Sequence, residues 1–245
     1  MTLRIGIAGI SGRMGRLLTE EVAAAGADLA GGTRRGEDLG PVAGASDVVI
    51  DFTRAEAVQA HATVLADSGT AWVLGTSGLS AADEMAVAAA SKRIAVVYAA
   101  NFSPGVTLVL ALAERMAAAL PAAQYDAEIV EMHHRQKVDA PSGTAIGLGR
   151  AVAAGRGVLL ADVMQSGRDG HTGLRETGAI GFAALRGGQV VGEHSLLFAG
   201  ADEHILLTHK AFDRRTFASG AVRAALWAAN RPPGLYAMRD VLGLS

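Results

Sequence analysis

Apolar and polar positions follow two periods, and the order in which they occur changes midway along the chain. In the first part, short apolar runs alternate with longer segments of helical period. Leu3 to Ala8 predicts a buried strand and Arg16 to Val22 a helix, and Asp28 to Gly32 predicts a second strand. Asp47 to Phe52 predicts a third strand with a helix over Ala55 to Ala66, Ala71 to Leu74 a fourth with an alanine-rich helix through Ser91, and Ile94 to Ala99 a fifth. Strand alternating with helix is the mark of an α/β domain, a parallel sheet with helices on both faces. Beyond Gly105 the order changes. Gly105 to Leu120 is apolar nearly all round and predicts a helix, Ile129 to His134 alternates like a strand end, and Ala145 to Ala154 predicts another helix. Gly155 to Gly178, with Gly167, Gly170 and Gly173, has little periodicity and reads as a mobile loop. Ala179 to Arg186, Gln189 to Phe198 and Glu203 to Lys210 read as antiparallel strands, the first two joined by a Gly187-Gly188 hairpin turn. Thr216 to Asn230 predicts the last long helix, ended by Pro232-Pro233-Gly234. The expected organisation is therefore a parallel-sheet domain over 1–104, then an α+β domain with a mostly antiparallel sheet over 105–213.

The junctions of the first domain carry its candidate chemistry. Between the first strand and helix stands Gly9-Ile10-Ser11-Gly12-Arg13-Met14-Gly15. Glycines there let the backbone turn tightly and approach a pyrophosphate, whose charge the helix N-terminus then meets. The spacing is Gly-x-x-Gly-x-x-Gly, which departs from Gly-x-Gly-x-x-Gly at Ser11, and glycine also serves ordinary turns. Past the second strand, where an acid would bind ribose hydroxyls, stand Thr33, Arg34 and Arg35. Two guanidiniums suit a 2′-phosphate, so NADPH is expected to be preferred over NADH; a solvated basic loop is the plainer alternative. Ligands of such sheets sit beyond the carboxyl ends of the strands. Phe52-Thr53, Gly75-Thr76-Ser77 and Asn101-Phe102-Ser103 are thus expected to line the nicotinamide half of the groove, although each taken singly also suits a simple turn.

The second concentration of chemistry runs from Glu131 to Thr144 and reads as the reaction centre. It holds His133, His134, Arg135 and Lys137, then a turn led by Pro141 and a helix start at Ser142-Gly143-Thr144. Alternation puts Ile129, Glu131 and His133 on one face of the strand and Val130, Met132 and His134 on the other. Free backbone N–H groups at the helix start, with Arg135 and Lys137 near in sequence, suit a carboxylate. A proton donor active near neutral pH beside an anion pocket outlines a reduction or elimination site. Singly, these residues suit a packed histidine, a surface charge and a helix cap; the concentration favours function.

Composition narrows the classes. With 245 residues and 50% hydrophobic content, one or two substantial cores can form. A net charge of −2 with interspersed signs gives no footprint for nucleic acid or an anionic membrane, and no apolar run is long enough to span a bilayer. The chain has no cysteine, which excludes disulfides and thiolate metal sites and fits the cytoplasm. No third ligand stands at a metal-binding spacing, so no metal is expected.

Gly12-Arg13-Met14-Gly15, Gly75-Thr76-Ser77-Gly78, Ala99-Ala100-Asn101-Phe102-Ser103, His133-His134-Arg135, Lys137 through Thr144 and Gly192-Glu193-His194 together resemble the dihydrodipicolinate reductases, now called 4-hydroxy-tetrahydrodipicolinate reductases, of lysine and diaminopimelate synthesis. The resemblance spans essentially the whole chain. It implies an N-terminal Rossmann domain completed by 214–245, a central domain for substrate and assembly, and a homotetramer built through the central sheets. The implied reaction is NAD(P)H-dependent reduction of a cyclic imine dicarboxylate to tetrahydrodipicolinate. By resemblance, Gly9, Ile10, Ser11, Gly12, Arg13, Met14, Gly75, Thr76, Ser77, Ala99, Ala100, Asn101 and Phe102 hold the cofactor. His133 and Lys137 match proton transfer; His134, Lys137, Gly143 and Thr144 match substrate binding, with Ser142 beside them and Arg214 as a further substrate-closing cation. Arg34 and Arg35 depart from the acid the family often carries, Gln136 stands where a basic residue is common, and the chain is short around Gly36 to Gly44. Two other classes remain open: another NADPH-dependent imine or aldehyde reductase, and a non-catalytic NADPH-binding sensor, which would not need the His133 to Thr144 constellation.

Overall fold

The computed structural model describes residues 2–244. In chain order its elements are β1 (Arg4–Ala8), α1 (Arg13–Ala24), β2 (Asp28–Thr33), α2 (Gly40–Ala45), β3 (Val48–Asp51), α3 (Val58–Ser68), β4 (Ala71–Leu74), α4 (Ala81–Ala90), β5 (Ala95–Tyr98), α5 (Pro104–Ala119), β6 (Asp126–His133), α6 (Gly143–Gly155), α7 (Leu160–Val163), β7 (Met164–Ser166), β8 (Ile180–Arg186), β9 (Gly192–Ala199), β10 (His204–Ala211), α8 (Arg215–Ala228), β11 (Gly234–Tyr236) and α9 (Met238–Val241). They form two compact units, one ending at Pro104 and resuming at Arg214, the other spanning Gly105–Asp213.

The first unit is a six-stranded sheet in the order β11-β5-β4-β3-β1-β2. Every pairing in it is parallel. Its inner strands β1, β3, β4 and β5 are buried on both faces, which is why they read as continuous apolar runs rather than as alternation. Ile5, Ile7, Val48, Ile50, Val73 and Val97 pack on α1, α8 and α9. Val49, Trp72, Leu74 and Val96 pack on α2, α3 and α4. α8 approaches closely because it presents Ala218, Ala221, Ala224, Ala225 and Ala228, and because a Cβ on Gly220 would collide with the Phe102 carbonyl. Three elements escape the sequence pattern. α2 lies within a stretch that reads as loop because of Gly40, Pro41 and Gly44, and it is held by the buried Leu39 and Ala43. β11 and α9 follow Pro232-Pro233-Gly234, where only the end of a helix was expected; β11 extends the sheet on β5.

The second unit is a five-stranded sheet in the order β10-β9-β6-β8-β7. It is antiparallel across β10, β9 and β6 and parallel across β6, β8 and β7, with more residues paired antiparallel than parallel in all. Its inner face, with Ala127, Ile129, Ile180, Phe182, Leu196 and Phe198, packs on α5 and α6 through Ala113, Ala117, Ala145, Leu148 and Val152. Two expectations are corrected here. Gly187-Gly188 does not make a hairpin, because β8 and β9 flank β6 on opposite sides. The connection instead wraps the end of β6: Gly187 N–H bonds the His133 carbonyl (2.9 Å), His134 N–H bonds Val190 (2.8 Å) and Arg135 N–H bonds Gly188 (3.3 Å). The stretch 155–178 is not a plain loop either. It contains α7 and the edge strand β7, and Arg168 and Arg175 tie it to Glu128 and Asp126 on β6. Glycines at turns hid that order from a periodicity reading.

Candidate active site

Parallel pairing sets the carboxyl ends of β5, β4, β3, β1 and β2 side by side, and every cofactor residue expected from sequence follows one of those ends. Gly9 takes the left-handed conformation (φ 80°) that turns the chain out of β1. The N–H groups of Gly9 and Ile10 both go to the Thr33 carbonyl (2.9 Å each), and Gly12 N–H goes to Gly9 O (2.9 Å). The N–H groups of Arg13 and Met14 at the start of α1 stand ahead of the first helical bond, from Arg16 to Gly12, the arrangement by which a helix start can meet an anion. No side chain caps that helix start. Gly15 completes the cradle, since a Cβ there would collide with the carbonyls of Gly9 and Ile10. Past β2, Arg34 and Arg35 are both exposed. Past β3 and β4, the Phe52 ring lies on Gly75, where any Cβ would meet it. Thr76 is buried, and its Oγ1 has no hydrogen-bond partner among the described residues, while Ser77 is exposed. Past β5, Ala99 and Asn101 are half-buried, Ala100 is exposed, and Asn101 Oδ1 accepts from Ser103 N–H (2.8 Å). Phe102 is 1% exposed and belongs to the core beside Phe52, so its side chain serves packing. An uncapped helix start, a glycine cradle and an orphaned buried hydroxyl along one sheet edge fit a nicotinamide dinucleotide.

In the second unit, β6 carries Glu131 and His133 on its buried face. His133 Nδ1 donates to Glu131 Oε2 (2.6 Å). Arg186, opposite His133 in the β6–β8 register, grips both oxygens of Glu131 (Nη1 to Oε2 2.9 Å, Nη2 to Oε1 2.8 Å). Ser142 N–H donates to Glu131 Oε1 (3.1 Å), and Ser142 Oγ caps α6 by accepting from Ala145 N–H (3.2 Å). The same hydroxyl lies 2.9 Å from His194 Nε2, and the His194 ring meets His133 edge-on at 5.1 Å between centroids. Gly143 and Thr144 form the first residues of α6, reached through a cis Ala140–Pro141 peptide. Lys137 Nζ donates to Asp139 Oδ1 (2.8 Å). His134 lies one residue past β6, half-buried, and its Nδ1 has no hydrogen-bond partner among the described residues.

The electrostatics follow from burial. Burial alone would push the Glu131 carboxyl up, but hydrogen bonds from Arg186, His133 and Ser142 outweigh it and hold the group below the ordinary carboxylate range. Burial pushes His133 down, Glu131 pulls it up, and Lys137 and Arg186 push it down again, leaving it below the usual histidine value. Burial takes His194 down to about 4, helped by His133. The residues expected at the reaction centre thus come together in one unit, with the exception of Arg214, which belongs to the other unit at the start of α8. Glu131, Arg186 and Asp139 were given no role by sequence, and His194 entered only as part of a motif. Glu131 carried a readable signal, an acid on the buried face of a strand, because such a charge must be paired. Arg186 is 55 positions away and carried none.

Among the described residues no helix is long and apolar enough to cross a membrane, and no group of three or more histidine, aspartate or glutamate side chains is placed to hold a metal ion. Comparison with solved structures returns a dipicolinate-bound dihydrodipicolinate reductase from Paenisporosarcina sp. TG-14, with TM-score 0.76 and 24% identity over 98% of this chain and 99% of that one, a likeness of fold. Curated relatives called 4-hydroxy-tetrahydrodipicolinate reductase match at 66% identity in Granulibacter bethesdensis and in Acidiphilium cryptum, each over 99% of this chain and 98% of theirs. The family models for the dihydrodipicolinate reductase N-terminus and C-terminus match residues 3–102 and 105–242. With nearly the whole length matched in register by both halves of one family, the chain belongs to the dihydrodipicolinate reductases.

Proposed function

We propose that this protein catalyses the NAD(P)H-dependent reduction of 4-hydroxy-tetrahydrodipicolinate to tetrahydrodipicolinate in lysine and diaminopimelate biosynthesis. The observation that carries the reading is His133, held by Glu131, in the same turn system as Lys137 and the start of α6. Family membership supplies the substrate. The unit ending at Pro104 and resuming at Arg214 is the dinucleotide-binding domain, with Gly9 to Met14, Arg34, Arg35, Phe52, Gly75 to Ser77 and Ala99 to Phe102 as its cofactor residues. The unit Gly105–Asp213 binds substrate and makes the oligomer contacts.

Loss of water from the 4-hydroxyl conjugates a C=C bond with the ring C=N. A bound NADPH supplies hydride to that conjugated system, and the enamine carbon left behind takes one proton, so substrate, NADPH and a proton give product, NADP+ and water. His133 Nε2 delivers the proton, since Nδ1 is committed to Glu131. Lys137 exchanges its bond with Asp139 for a substrate carboxylate and stabilises charge on the ring. The α6 start at Ser142, Gly143 and Thr144, together with His134, orients the carboxylates, and Arg214 is assigned a substrate-binding role on the family resemblance alone. NADPH is the preferred cofactor and NADH is also accepted, because Arg34 and Arg35 add affinity for a 2′-phosphate without obstructing a ribose. The outer face of the five-stranded sheet exposes Val130, Leu185 and Leu206, which suits assembly of a homotetramer through these sheets. We place the enzyme in the cytoplasm, with the reduced nicotinamide pool it consumes.

Steady-state kinetics with cofactor binding measured separately test the roles. His133→Ala lowers kcat by about 10²-fold or more with the NADPH dissociation constant unchanged; Lys137→Ala lowers kcat and raises KM for the dicarboxylate. Unchanged turnover in both variants would remove these residues from the chemistry.

A further inference from the structure

We infer that Glu131 is the positioning residue of this site, one carboxylate that fixes the tautomer and orientation of His133 and ties it to the substrate-binding start of α6. The inference deepens the proposed function and rests on His133 as proton donor. Glu131 is 1% exposed, and a carboxylate so buried persists as an anion only when fully bonded. Its oxygens receive four donors: His133 Nδ1 and Arg186 Nη1 on Oε2, Arg186 Nη2 and Ser142 N–H on Oε1. A carboxylate offers about four lone-pair sites, so none is left for substrate or water. Glu131 therefore takes no direct part in the reaction.

Its effect passes through its partners. With Nδ1–H donated to Glu131, proton exchange is confined to Nε2 and the ring cannot turn over without breaking a buried charge-assisted bond. Because Ser142 N–H shares the same carboxylate, the proton donor and the carboxylate-binding turn keep a fixed separation. Arg186 completes the device. Its grip keeps Glu131 anionic, and its Nη2 also donates to the Asp139 carbonyl (2.6 Å), which anchors the loop carrying Lys137. The charges acting on the His133 ring have opposite signs. Glu131 on the same strand favours the imidazolium, whereas Arg186 from β8 and Lys137 from the following turn oppose it. Lys137 is itself engaged by Asp139. His194 from β9 stands edge-on to the ring, with His209 of β10 opposite it in register.

Two charge-neutralising variants should thus move the proton donor in opposite directions. In Glu131→Gln the pH at which kcat/KM falls on the alkaline side drops by about one unit or more; in Arg186→Gln it rises. A residue serving only the fold would lower stability in both variants and leave that pH where it is. His133→Ala run alongside identifies the limb: if the limb survives in it, His133 is not the proton donor and the proposed role fails. If the limb disappears there yet stays in place in both Gln variants, the positioning role of Glu131 is wrong. Histidine-selective ¹⁵N spectra of the unaltered protein give a reading that needs no variant and no turnover. The inference expects neutral His133 as the Nδ1–H tautomer, and an Nε2–H tautomer would overturn it.

Discussion

Ser142 Oγ lies 2.9 Å from His194 Nε2, inside a unit where the imidazole is 4% exposed and its pKa is taken down to about 4. The unfolded chain takes up a proton near the ordinary value of 6.5, which the folded chain refuses until about 4. Stability from this group is complete above pH 6.5 and is lost as pH falls from there through 4, a loss of roughly 2–3 kcal/mol by pH 4.5. His194→Gln, which keeps a side chain able to bond Ser142, should lose less stability than the unaltered protein between pH 7 and 4.5 in thermal unfolding; equal losses would show that His194 does not titrate as described. On the cofactor side, Arg34 and Arg35 are exposed, and neither forms an ion pair among the described residues, as expected of cations that meet a ligand phosphate. Replacing both by alanine should raise the NADPH dissociation constant about tenfold or more while leaving that of NADH nearly unchanged, measured by fluorescence titration. Parallel changes for both cofactors would contradict a 2′-phosphate role. At this scale the sequence displayed the candidate groups His133, Lys137 and Ser142, because they sit close together in the chain. It concealed those that hold them, because Arg186 and His194 reach Glu131 and Ser142 only through strand pairing.

Elements with a strong periodic signal were legible and those decided by tertiary contact were not. β4 and the β1–α1 junction stand where apolar runs and glycines put them. α2 has the composition of a loop, and a buried Leu39 and Ala43 override it. The crossing from β8 to β9 over β6 was hidden for a related reason, since Gly187-Gly188 has hairpin chemistry and only the choice of neighbours in the sheet decides otherwise. The cradle at α1 yields a test whose sign is informative. Within a helix, glycine to alanine ordinarily stabilises by about 1 kcal/mol. In Gly15→Ala the new Cβ meets the carbonyls of Gly9 and Ile10, so a lower Tm and weaker NADPH binding are expected. A raised Tm with unchanged binding would mean the loop is not packed against the helix in this way.

At the scale of the whole molecule, the change from alternating to consecutive strands marked two architectures, each now seen as a compact unit with its own sheet and core. The return of α8, β11 and α9 to the first unit is not written in any local pattern, and the family resemblance implies only that 214–245 complete that domain, without the added strand β11. Assembly also belongs to this scale. Leu206 is 63% exposed on the outer face of β10, in line with Leu197 of β9. Leu206→Glu should shift sedimentation from a tetramer toward smaller species, and an unaltered profile would place the interface elsewhere. The most direct test of the central claim is consumption of NADPH by the unaltered protein with freshly generated 4-hydroxy-tetrahydrodipicolinate, with NADH in parallel. Rapid consumption that is stoichiometric with tetrahydrodipicolinate, and faster with NADPH at low cofactor concentration, is the expected result. A folded protein that binds NADPH yet leaves it unoxidised with this substrate would contradict the proposed reaction.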